Sequence, residues 1–237
     1  MIMMIGTGHV YNISEQVSFI IKHTWPDAVL IELDERRYYA VMNDTGEKTK
    51  VKSASKMYAA QVKYQNKMSE KNKVGPGGEM LTAILEGRSA GAEIICIDTD
   101  AEQNMKEIEE SMPLSEMARF AASSVFDRMF AHRESRHSQK NFAENEEEYV
   151  RKMRKRYPTM VRMLIDERDE HMARKIIEAS EKYKNMVVVV GDAHVRGICE
   201  RLGSLKVEKI RLADMMDEER MNTIRSRIWE GRAEAKE

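Results

Sequence analysis

The chain has 237 residues, enough for one or two domains with a sizeable core, and its 42% apolar fraction excludes a wholly disordered chain. Lys and Arg number 39 against 40 Asp and Glu, a net charge of −1, so no global field draws the chain to nucleic acid. Two cysteines without metal-ligand spacing, no secretory leader pattern and no apolar run near the ~20 residues of a membrane span point to a cytoplasmic protein.

The apolar run Met1 to Ile5 reads as a buried strand that enters the turn Gly6-Thr7-Gly8-His9. Ser14 caps a helix with Val17, Ile20 and Ile21 on one side, and Pro26 disfavours helical geometry at Trp25, which ends it. A second strand, Ala28 to Leu33, places Glu32 among apolar neighbours, and Asp34 can cap a short helix through Arg36, Arg37 and Tyr38. Strand, helix and strand form a βαβ-like opening. A Lys-rich stretch follows, with a helix over Ser53 to Asn72 broken by Gly75-Pro76-Gly77-Gly78. A further helix, Glu79 to Ser89, stops at Gly91, and a third strand, Ala92 to Ile97, delivers Asp98-Thr99-Asp100 at its carboxyl end.

Residues 101–185 are helical in pattern, apart from Arg133 to Asn141, which reads as a mobile loop. The fourth strand, Met186 to Val190, enters a second turn of the same form, Gly191-Asp192-Ala193-His194. A helix over Val195 to Leu202, an edge strand over Lys206 to Leu212 and an amphipathic helix that frays into charge complete the chain. The expected fold is α/β (α+β): a small mixed β-sheet carrying the site, covered by a large helical section over about 100–185. Residues 1–213 form the domain and 214–237 a charged tail, and the helical section supplies the contact of a homodimer.

Random placement of 12 Gly and 6 His predicts roughly 0.3 Gly-x-x-His matches, so two in matched strand-to-turn contexts mark His9 and His194. Sites in open α/β sheets gather at the carboxyl ends of strands, where Glu32 also lies. Two imidazoles and a carboxylate suit a divalent metal such as Zn, Mn or Co, or a histidine base oriented by Glu32 without metal. Each has a bland alternative: histidines satisfied by backbone carbonyls, and Glu32 paired with Arg36. Asp98 and Asp100 read as helix caps first and as a supporting pair second. Asp166 to Glu170 reads as the acidic first turn of a helix capped by Asp166, with Arg168 one charge on a solvated face.

The ordered motifs add a resemblance. Gly6-Thr7-Gly8-His9-Val10, Glu32-Leu33-Asp34-Glu35-Arg36-Arg37, Gly77-Gly78-Glu79-Met80, Leu164-Ile165-Asp166-Glu167-Arg168-Asp169 and Gly191-Asp192-Ala193-His194 together resemble the TraB/PrgY (pheromone-shutdown) family. That family groups with the Tiki and GumN proteins and, more distantly, with erythromycin esterases. The resemblance implies that His9, His194 and Glu32 form the site and brings Arg168 into it. It also implies the expected function: a divalent-metal-dependent hydrolase of peptides. There His9, Glu32 and His194 hold Mn, Co or Zn, with Glu32 as further ligand or base, and Arg168 stabilises an oxyanion or anchors a carboxylate. Two other readings stand beside it: a peptide-binding or sequestering regulator without turnover, and a metal-free esterase-like hydrolase. The expected partner is a peptide or small-molecule substrate. Many members carry a hydrophobic membrane region after the second histidine turn; this chain has the charged Arg220 to Glu237 there.

Overall fold

Every predicted strand but the third lies next to a non-consecutive one in the structure, because the sheet is wound outward in two directions from its middle. The computed structural model describes residues 1–8, 12–43, 55, 57–59, 62, 78–122, 148 and 150–234. His9, the Arg133 to Asn141 stretch and nearly all of the Ser53 to Asn72 helix lie outside them. The strands are β1 (Ile2–Thr7), β2 (Ala28–Ile31), β3 (Glu93–Cys96), β4 (Met186–Gly191) and β5 (Val207–Ile210). Their order is β3-β2-β4-β1-β5, and every pairing is parallel. The α/β expectation is met, with the sheet parallel where a mixed one was expected. Parallel strands are buried on both faces, which is why β1, β2 and β4 read as continuous apolar runs and not as alternations.

Helices cover both faces. Met3, Ile5, Val29, Ile31, Val187 and Val189 face α1 (Ser14–Thr24), α3 (Gly78–Ser89), α9 (Leu212–Met216) and α10 (Glu218–Glu234). Ile2, Met4, Ala28, Leu30, Val188 and Val190 face α7 (Glu167–Lys182) and α8 (Asp192–Arg201). The alternation along each strand is the pleat itself. α1 buries Val17, Ile20 and Ile21 as their spacing requires, one residue out of register with the expected cap: Ile13 holds the cap position. α2 (Glu35–Met42) starts where expected, with Asp34 accepting from Arg37 N at 2.8 Å. The segment read as a tail contributes Met221, Ile224 and Ile228 to the first face through α10.

Part of the helical section forms its own small methionine-rich core. Met105 and Ile108 of α4 (Ala101–Ser111) pack with Met112, Tyr157, Met160 and Met163, beside α5 (Leu114–Ala122). Unbranched methionines fill such irregular gaps well. The chain then runs as one helical rod: α6 (Pro158–Val161), a π-helical turn over Arg162–Asp166, and α7. Asp166 therefore makes no cap and pairs with Arg154 (Nη2–Oδ1 2.8 Å). Cys96 and Cys199 are free thiols. Among the described residues no helix is long and apolar enough to cross a membrane.

The second turn motif anchors the sheet edge through its acid. Asp192, 1% exposed, accepts from Arg211 Nε at 2.8 Å, Arg211 Nη2 at 2.9 Å and Leu212 N at 2.9 Å. This ties the start of α8 to the segment after β5. Gly6 makes the room: a Cβ there would lie 2.1 Å from Asp192 Oδ1. Gly6→Ala should therefore lower stability by about 2–3 kcal/mol. Urea unfolding should show that cost falling by about 1 kcal/mol or more when Asp192→Ala is also present. Strict additivity would place the strain elsewhere.

Candidate functional site

All five strands run the same way, so their carboxyl ends share one edge of the sheet. β4 leaves that edge into α8 on one face, while its neighbours β1 and β2 leave into α1 and α2 on the other. The diverging connections open a crevice, the usual place for a site in such sheets. Glu32 stands at the end of β2, Asp98 after β3, and His194 in the first turn of α8 after β4. Arg168 and Asp169 arrive from the first turn of α7, just after the π-helical turn.

Arg168 occupies the middle with every donor engaged. A guanidinium has five N–H groups in a fixed plane and no acceptor. Nε donates to Asp98 Oδ1 at 2.9 Å, and Nη2 to Asp98 Oδ2 at 2.7 Å and to Glu32 Oε1. Nη1 donates to Leu164 O at 3.2 Å and to His194 Nε2 at 3.1 Å. Glu32 Oε2 accepts from Gly191 N, so this carboxylate also clasps β2 to the end of β4. Burial alone would lower the Arg168 pKa; Asp98 and Glu32 outweigh it and push it up, so the group stays charged. Burial alone would likewise raise the Asp98 carboxyl, and Arg168 and Arg37 hold it well below the usual range. Arg37 donates from Nη2 to Asp98 Oδ2 and from Nε to Asp34 Oδ2 at 2.6 Å.

His194 is held from both sides. Its Nδ1 lies 2.6 Å from Asp169 Oδ1. Arginine can only donate, so the Nε2 that faces Arg168 is the acceptor and Nδ1 carries the hydrogen given to Asp169. Asp169 is 2% exposed, and burial pushes its carboxyl up against the opposing pull of His194. Gly197 lets α7 and α8 approach closely enough for this pair, since a Cβ there would lie 1.9 Å from Asp169 Oδ2.

A sequence profile of the TraB/PrgY/gumN family matches residues 1–213. The chain belongs to that family. It is also 28% identical over 218 residues to an uncharacterized protein of Methanocaldococcus jannaschii, covering 86% of this chain and 54% of that protein. The chain therefore spans about half the length of this curated relative.

Three of the four residues expected at the TraB-like site, Glu32, His194 and Arg168, meet in one network; the fourth, His9, lies outside the described residues. Arg168 sits in the crevice and not on a solvated face. Glu32 pairs with Arg168, while Arg36 goes to Glu102. Asp100 caps α4 by accepting from Gln103 N at 2.8 Å, and Asp98 belongs to the site. Asp169 was read only as a first-turn acid. Its signal was its phase: it lies three and four residues before Met172 and Ala173, on the buried stripe of α7.

The divalent-metal expectation named His9, Glu32 and His194; His9 lies outside the described residues, and Glu32 and His194 both engage Arg168. Glu32 Oε1, both Asp98 oxygens and His194 Nε2 converge on the Arg168 guanidinium, which fills the cation's place. Among the described residues no group of three or more His, Cys, Asp or Glu is arranged to hold a metal ion.

Removing the Asp98 charge should destabilise the fold by about 3 kcal/mol at neutral pH, because two guanidinium groups lose a buried partner. Its folded pKa is depressed, so its contribution is complete above the unfolded value of 3.8 and is lost as pH falls through the lower folded value. The stability gap between wild type and Asp98→Asn should stay level from about pH 8 to pH 4 and close only in stronger acid. A gap that closes between pH 7 and 5 would contradict this placement of Asp98.

Proposed function

We propose that this TraB-family chain is a hydrolase of peptide-like or related acyl substrates, with His194 as its general base. One observation carries the reading: the Asp169–His194 pair at the crevice, its Nε2 held 3.1 Å from Arg168. An imidazole with one nitrogen fixed by a carboxylate and the other aimed into a site is the arrangement general-base catalysis needs.

In this scheme a water takes the place of Arg168 at His194 Nε2. His194 accepts its proton as the oxygen attacks the substrate carbonyl, and Asp169 stabilises the resulting imidazolium through Nδ1–H. With the water at Nε2, Arg168 no longer donates there, so one Nη1 hydrogen is free beside the reacting atoms. There it can stabilise the developing oxyanion, the role that the sequence expected of Arg168. The imidazolium then returns the proton to the leaving group. Glu32 keeps the guanidinium in place and holds no free oxygen for a base of its own. No step passes through a metal, because the donors that would hold one serve Arg168.

The test is cleavage of mixed peptide and ester libraries by untagged protein before and after chelator dialysis, with elemental analysis of both samples. Cleavage should survive the chelator, and His194→Ala and Asp169→Asn should each lower it by about 100-fold or more. Cleavage lost to the chelator and restored by Mn, Co or Zn would overturn the metal-free scheme in favour of metal-dependent hydrolysis. No cleavage of any substrate would leave a peptide-binding regulator.

A further inference from the structure

Arg168 has no N–H to offer an incoming ligand at rest, since all five are engaged. The second guanidinium at this crevice differs. Asp98 Oδ2, which accepts from Arg168 Nη2, also accepts from Arg37 Nη2, so the two arginines stand on opposite sides of one carboxylate oxygen. Arg37 Nε is fixed by Asp34 Oδ2 at 2.6 Å, and Asp34 Oδ1 also caps the Arg37 backbone N–H. Asp34 and Asp98 thus hold the guanidinium from two directions. Its Nη1 makes no hydrogen bond among the described residues, and its side chain is 28% exposed against 15% for Arg168. The Tyr58 hydroxyl lies close enough to feel the Arg37 charge, which partly offsets the rise caused by its burial.

A guanidinium held at Nε and Nη2, with Nη1 unengaged among the described residues, keeps hydrogens with which to take a carboxylate. We propose that Arg37 is the anion anchor of this site and that its substrates carry a free carboxylate near the scissile bond. This rests on the hydrolase reading above. Arg37 takes the carboxylate on its open Nη1 and Nη2 hydrogens. Asp98 keeps that anchor next to Arg168 and so next to His194.

The experiment uses two pools of N-acetyl dipeptides, one with a free carboxylate and one with a carboxyl-terminal amide, on the full chain. Wild type should cleave the carboxylate pool with kcat/KM about tenfold or more above the amide pool. Arg37→Gln should abolish that preference, chiefly by raising KM on the carboxylate pool. Arg37→Lys keeps the charge without the planar fork, and should keep only part of the preference. Melting temperatures with each pool, in wild type and in both Arg37 variants, read binding without turnover. An Arg37-dependent shift from the carboxylate pool with no cleavage would overturn the hydrolase reading and keep the anchor. A preference that survives in Arg37→Gln, no preference in wild type, or no cleavage together with no melting shift would overturn the anchor.

Discussion

A buried positive charge must be met by acceptors or it unfolds the structure around it, and Arg168 is met on every donor. Its acceptors come from four places: the carboxyl ends of β2 and β3, the first turn of α8, and the carbonyl of Leu164 in its own helical rod. These segments are far apart in sequence, so a single side chain sets where they stand relative to one another. The π-helical turn just before α7 belongs to the same constraint. It directly precedes Arg168 and Asp169, which join the network from the first turn of α7, while Met172 and Ile176 continue into the core.

The carboxylates divide the remaining work by position. Asp192 locks the sheet edge through Arg211. Asp169 fixes the ring of His194, and Glu32 bridges Gly191 to Arg168. The second Gly-x-x-His turn thus sends Asp192 to Arg211 and His194 to Arg168 and Asp169 within three residues, because the first turn of a helix projects successive side chains in different directions.

How far the sequence could be read follows from which forces act locally. Strands β1, β2 and β4 declared themselves as apolar runs, and α1 by its i, i+3, i+4 spacing, because burial writes a period into the chain. The wholly parallel pairing did not show, since β5 is short and half-buried and its partner is set by tertiary packing. Arg168 resembled a surface charge because the acids beside it hide its partners, which are supplied by distant strands. Asp98 resembled a cap because Asp100, two residues on, is one. The metal expectation came from the donor types at Glu32 and His194. Donor type alone could not reveal that Arg168 joins Glu32 and His194 in one network.

The unfolding free energy of Arg168→Lys at neutral pH tests the central claim most directly. Lysine keeps the charge but offers three donors from one point in place of five in a plane, so it cannot reach all four segments at once. A loss of about 2–4 kcal/mol by urea denaturation, with an unchanged denaturant slope, is the result this account requires. A variant within about 0.5 kcal/mol of wild type would show that the five-donor network does not hold the crevice together.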